Sequence, residues 1–118
     1  MAETGARVFI VEDNEEFVFG LKMLLTCWGH TPVGEVYWAA TAMNCIQTLM
    51  EKRVQILTLD RDLFGGDVIA RGFVNLVRRE CPNVVIVGLA GLPIEGVHYN
   101  LGRENVCQLD EVIRRFVQ

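Results

Sequence analysis

Val8-Phe9-Ile10-Val11-Glu12-Asp13-Asn14-Glu15-Glu16 and, about 48 residues further on, Leu57-Thr58-Leu59-Asp60-Arg61-Asp62-Leu63-Phe64-Gly65-Gly66 decide how this chain reads. Val8–Val11 is a continuous apolar run, the pattern of a strand buried on both faces. It stops abruptly at two acids. Asn14 is a helix N-cap residue, and Glu15 and Glu16 then fall in the first turn, where the helix dipole favours them. Phe17, Leu21, Leu24, Leu25 and Trp28 follow at helical spacing, and Gly29 ends that helix. Val54–Leu59 repeats the theme, a buried strand stopped by Asp60-Arg61-Asp62.

Outward from these segments, apolar runs and amphipathic stretches alternate. Val33–Val36 reads as a second strand. Ala42, Met43, Ile46, Leu49 and Met50 outline one helix ending near Lys52-Arg53. A third helix is expected from about Val68 to Glu80, closed by Pro82. Val84–Leu89 reads as a strand, and a last helix runs from about Cys107 to Val117. Strands alternating with helices imply βαβ units, a parallel sheet and helices on both of its faces. Residues 90–106 break the alternation, because Gly91, Pro93, Gly96 and Gly102 punctuate rather than build a helix. A short fifth strand near Val97–Leu101, with no helix before it, is the expectation there. The class is α/β, doubly wound, in one domain spanning 1–118 with its core from about residue 6.

Composition sets the outer limits. The 118 residues are 51% hydrophobic and 22% charged, with a net charge of −4. A chain of this size and apolarity builds its own core. The acidic balance and the lack of a dense Lys/Arg stripe argue against binding a nucleic-acid backbone. No apolar run approaches the ~20 residues that span a bilayer. Met1–Gly5 carries no basic-then-apolar leader. Cys27, Cys45, Cys81 and Cys107 form no C-x-x-C, and neither His30 nor His98 stands at metal-ligand spacing from them. They read as reduced, mostly buried thiols of a cytoplasmic protein.

Glu12, Asp13 and Asp60 carry the chemistry. Ligands of doubly wound sheets sit at the carboxyl ends of strands, near the point where strand order reverses. If the strands ending in Val11 and Leu59 are neighbours, their ends lie ~5 Å apart and three carboxylates share one cleft. Unpaired, they repel and take up protons. A hard cation removes the conflict, and Mg²⁺ suits a set of oxygen donors. An acid that begins a loop is most often a solvated cap. An acid pair and a third acid on two separate buried strands are less easily explained so. The chain has no Gly-rich phosphate loop ending in Gly-Lys and no Ser/His/Asp or Cys/His set at strand ends. A metal and a carboxylate nucleophile remain.

With these residues the sequence resembles the receiver domain of two-component response regulators. The likeness runs from Arg7 to about Gly91, thins, and returns at the last helix. It implies a flavodoxin-like fold of five parallel strands in the order 2-1-3-4-5. It also implies that Asp60 accepts a phosphoryl group and that Asp13 binds Mg²⁺ directly, with Glu12 beside it. Asp62 matches the position whose backbone carbonyl completes the metal site, so the implied metal set is Glu12, Asp13, Asp60 and Asp62. Phe64 stands where the family usually has proline.

Two family features are missing. The Thr or Ser that ends the fourth strand falls at Ala90, which has no hydroxyl. The Lys that ends the fifth strand has no counterpart, since the only lysines are Lys22 and Lys52. Arg103 is the candidate charge substitute, although a guanidinium and an ammonium differ in geometry. Tyr99 falls at the aromatic switch position, where an aromatic is more often core, and with Ala90 it makes up the switch candidates. The family's fourth helix is absent or replaced by a loop. Its loss is expected to uncover apolar sheet around Val85 and Val87 and to favour a homodimer or a docked partner. The alternative is that Ala90–Gly96, with Leu92 and Ile94, folds over the gap.

The leading expectation is a stand-alone, non-enzymatic receiver that takes its phosphoryl group from a histidine kinase or a phosphotransfer protein and signals by protein contact. A pseudo-receiver, an interaction module independent of phosphorylation, is the alternative. Glu12 with Asp60-x-Asp62 also resembles the Toprim metal site of nucleic-acid enzymes. Asp60-Arg61-Asp62 alone resembles haloacid-dehalogenase-type phosphatases, which need a downstream Lys that this chain lacks.

Overall fold

The computed structural model describes residues 5–117; residues 1–4 and Gln118, at the ends of the expected domain, lie outside the described residues. Five parallel strands form the sheet: β1 (Arg7–Val11), β2 (Thr31–Val36), β3 (Ile56–Leu59), β6 (Val85–Gly88) and β7 (Tyr99–Asn100). Their order is β2-β1-β3-β6-β7, which is 2-1-3-4-5 when only these five are counted. β1 pairs β3 in register from Val8↔Ile56 to Val11↔Leu59, so the two acid-bearing strand ends are adjacent.

The apolar runs separate by side. Phe9, Val11, Leu57, Leu59 and Ile86 pack with α2 (Ala39–Met43), α3 (Ile46–Glu51) and α4 (Phe73–Glu80). Val8, Ile10, Ile56 and Val87 pack with α1 (Glu15–Cys27) and α5 (Leu109–Phe116). Helices therefore cover both faces, which is why these strands read as continuous rather than alternating apolar runs. Asn14 caps α1 as its type predicts, its Oδ1 accepting from Phe17 N at 2.9 Å.

Three elements differ from the sequence expectation. The helix expected over residues 42–53 is broken into α2 and α3. Asn44 Nδ2 donates to the Ala40 carbonyl at 2.9 Å, a side-chain bond that competes with the backbone ladder. The helix expected from Val68 begins only at Phe73. The Asp67 carboxylate accepts from Ile69 N and Ala70 N, and the turn it closes stops at Gly72, which is left-handed at φ +80°. Ahead of that turn lies a small hairpin, β4 (Asp62–Leu63) with β5 (Gly66–Asp67), turning through Phe64 and Gly65. Gly65 stands at φ +90°, a conformation that favours glycine.

The fifth strand lies where expected, with no helix between it and β6 among the described residues. The sheet is nevertheless not uncovered. Val87 is fully buried and Val85 half-buried, while Ile94, from the intervening segment, is 1% exposed within the core. The expected bare patch is thus covered on both faces: Val85 and Val87 pack on the α1 and α5 side, and Ile94 of the loop packs with Ile86 on the other. Asn100 is the fastener: its Oδ1 accepts from Ile94 N at 2.8 Å and its Nδ2 donates to Ile94 O at 2.9 Å. The side-chain amide pairs with one residue's backbone much as a neighbouring strand would. Leu92 is left outside, 70% exposed.

On the opposite side, His30 ties the C-terminal helix to the sheet. Its Nδ1 accepts from Ala6 N at 3.0 Å, so its proton sits on Nε2, 2.7 Å from Asp110 Oδ1. Arg114 then bridges Asp110 and the Trp28 carbonyl. Of the cysteines, Cys45 and Cys81 are buried but Cys27 and Cys107 are exposed, which corrects the expectation that most would be buried. No helix of the described residues is long and apolar enough to cross a membrane.

Candidate metal and phosphoryl site

The carboxyl ends of β1 and β3 build the site. Asp60 N donates to the Val11 carbonyl at 2.9 Å and Glu12 N to the Val36 carbonyl at 3.1 Å. The acids are thus set in place by the sheet rather than by flexible loops. Glu12, Asp13 and Asp60 each offer a carboxylate oxygen, and these atoms lie within 4.8 Å of one another. That convergence is the arrangement expected from the strand ends.

The three acids differ in surroundings. Glu12 is 2% exposed, and its carboxyl is raised from 4.5 to about 7, chiefly by burial and next by the Asp60 charge. Burial also raises Asp60, against the lowering effects of the Arg61 N–H bond and of Arg103. Arg61 N donates to Asp60 Oδ1 at 2.8 Å, leaving the acceptor oxygens to be shared between the backbone and the cleft. Two carboxyl groups that both resist ionisation in one cleft are a site short of positive charge. Three oxygen donors with no soft ligand among them fit Mg²⁺ or another hard divalent cation.

One cation is already present. Arg103 Nη2 donates to Glu12 Oε2 at 2.7 Å, and its guanidinium carbon lies 4.4 Å from the centroid of the Phe17 ring. Arg103 begins a 3-10 helix (Arg103–Gln108) directly after β7 and Gly102. The contact reaches across the cleft from beyond the far strand of the sheet and sets a guanidinium against Glu12. Phe17 was legible in the sequence only as a residue of the helix's apolar face. Its second use, as the surface under a guanidinium, has no signature at the level of spacing.

The remaining sequence candidates are not members of the converging group. The Asp62 carboxylate is exposed on β4 and is not in the converging group; only its main chain remains available for the role the resemblance assigns. A Toprim-type site requires that second acid to join Glu12, and the structure brings in Asp60 alone of the pair. Ala90 is 6% exposed. It lines a cavity of about 140 Å³ together with Leu92, Asn100 and Leu101 at the ends of β6 and β7. Tyr99 is half-buried, its ring 6.4 Å from that of Phe116 in an edge-on contact. Trp38 is 59% exposed, its ring centroid 5.3 Å from that of Phe64.

No family model matches the chain, and no curated protein matches its sequence. Solved structures do match. A response regulator receiver domain (CheY-like) from Methylobacillus flagellatus superposes with a TM-score of 0.75 at 18% identity, over 95% of this chain and 98% of that one. A response regulator receiver domain protein from Clostridium thermocellum gives 0.78 at 12% identity, over 95% and 94%. The response regulator domain of Thermotoga maritima CheB gives 0.71 at 17% identity, over 94% and 95%. Likeness over nearly the whole of both chains, at such low identity, is likeness of fold: the chain has the fold of a response regulator receiver domain.

Proposed function

We propose that this chain is a two-component signalling module whose Asp60 carboxylate accepts a phosphoryl group with Mg²⁺ held by Glu12, Asp13 and Asp60. The observation that carries this is the approach of those three carboxylates to within 4.8 Å at the adjacent ends of β1 and β3. The main-chain carbonyl of Asp62 is the fourth protein ligand in this reading. A bound Mg²⁺ supplies charge neutralisation for the carboxylates and for the incoming phosphoryl oxygens. The chain's own residues do the rest. An Asp60 oxygen forms the bond to phosphorus as the bond to the donor's leaving group breaks, and Arg61 N holds the Asp60 carboxylate in place. Arg103 supplies the positive charge that lysine supplies elsewhere in the family. The Ala90 side chain donates no hydrogen bond, so the phosphorylated form lacks one charge-assisted contact, of about 1.5–3 kcal/mol.

The donor in this reading is a histidine kinase or a phosphotransfer protein, and the protein acts in the cytoplasm by contact with a protein partner rather than as an enzyme. The test is incubation with a small acyl phosphate and Mg²⁺, followed by intact mass. A single phosphoryl adduct on the wild type and none on Asp60→Asn is the expected result; no adduct on the wild type overturns the reading. A second reading, a pseudo-receiver with output independent of phosphorylation, is favoured by Ala90 and by the tie of Arg103 to Glu12. It requires that Mg²⁺ leave tryptophan fluorescence unchanged and that Asp60→Asn leave partner binding unchanged.

A further inference from the structure

Arg103 is held more closely than charge neutralisation requires. A guanidinium anywhere near the cleft would supply the field. Here the side chain, 37% exposed, is fixed by two elements at once, resting on the Phe17 ring of α1 and reaching Glu12 Oε2 at 2.7 Å. That oxygen also accepts from Asn14 N at 3.2 Å. One oxygen of the most deeply buried acid in the group is therefore committed to two donors before any divalent ion arrives. A hard cation needs that carboxylate with its lone pairs turned toward it, and an oxygen already held by the guanidinium and by Asn14 N is not free to meet it.

We propose that Arg103 is a positioning residue that competes with the divalent cation for Glu12, so that loading the site moves the guanidinium off the carboxylate and frees it to meet the phosphoryl oxygens on Asp60. Phe17 is the seat from which it moves. Metal occupancy and anion recognition are thereby coupled through one side chain. This rests on the receiver reading of the site, and it adds a cost to metal binding that the three carboxylates alone would not impose. A lysine in the same place would keep the charge but lose the planar guanidinium that lies over the ring.

The test is Mg²⁺ binding to the unphosphorylated protein, measured by calorimetry on the wild type, Arg103→Gln and Arg103→Lys, with circular dichroism to establish that each variant is folded. Arg103→Gln is expected to bind Mg²⁺ about tenfold more tightly than the wild type. Arg103→Lys is expected to lie between the two. Tight binding by Arg103→Gln with none measurable by the wild type supports the proposal in its strongest form. Equal or weaker binding by Arg103→Gln overturns it and leaves the receiver reading standing. Arg103→Lys binding like the wild type while Arg103→Gln binds more tightly overturns it as well, because charge alone then suffices. If neither the wild type nor Arg103→Gln binds Mg²⁺, the metal reading falls together with the inference.

Discussion

Replacing Glu12 by Gln should make the metal-free protein more stable above neutral pH and less dependent on pH. Glu12 is 2% exposed and titrates near pH 7, against 4.5 for an unhindered carboxyl. Below about pH 4.5 the group is protonated whether the chain is folded or unfolded, and it contributes nothing to the pH dependence. Between about pH 4.5 and 7 the unfolded chain gives up its proton while the folded one keeps it. The native state then binds more protons, so stability falls as pH rises, and the loss is complete above about pH 7. Moving the group from 4.5 to about 7 corresponds to about 3 kcal/mol, a large share of the roughly 5–15 kcal/mol typical of a domain. Asp60, also raised, acts in the same direction. His98 is lowered from 6.5 by burial and by Arg78, so it acts the other way, losing stability as pH falls. Only the difference between wild type and Glu12→Gln isolates the acid. Urea denaturation at about pH 5 and about pH 8, with a chelator, is the assay. The two proteins should be similar at the lower pH, and the variant should lead by about 2–3 kcal/mol at the higher. Added Mg²⁺ should restore the wild type at about pH 8 and help the variant much less. A wild type whose lead over Glu12→Gln grows as pH rises, without metal, would refute the reasoning.

The loop that closes the sheet gives sharper tests. Asn100→Ala strands both the Ile94 N–H and its carbonyl, and should cost about 1–3 kcal/mol in chemical denaturation. Gly88→Ala should cost a similar amount, because its new Cβ would lie 2.5 Å from Asn100 Oδ1. Made together with Asn100→Ala it should cost almost nothing more, and full additivity in the double-mutant cycle would show that the two do not act through one clip. His30→Ala removes the acceptor for Ala6 N and the partner of Asp110. A loss of about 2–3 kcal/mol by thermal melting is expected, with the site's affinity for Mg²⁺ unchanged. Substituting Phe17 by Leu should tighten Mg²⁺ binding in the same direction as Arg103→Lys, read by calorimetry.

The sequence by itself determined the class of fold and the three acids. Runs such as Val8–Val11 and Val54–Leu59 bury on two faces only in a sheet covered on both sides, and a strand that ends in acids announces where its open end lies. The lack of Lys after Lys52 and the Ala at position 90 are absences that any reading of the chain must meet. Tertiary structure decided everything that depends on distance between remote positions. Spacing places Phe17 on an apolar face and Arg103 in a loop, yet says nothing of one resting on the other across 86 residues of chain. The same holds for Asn100, whose amide pairs with Ile94, and for Ile94 itself, buried with Ile86 from a segment that the sequence marks only as irregular. The break at Asn44 and the hairpin at Phe64-Gly65 were hidden for a related reason. A single side-chain hydrogen bond or one left-handed residue is worth about 1 kcal/mol or so, which is enough to end a short helix but too little to disturb a periodic pattern.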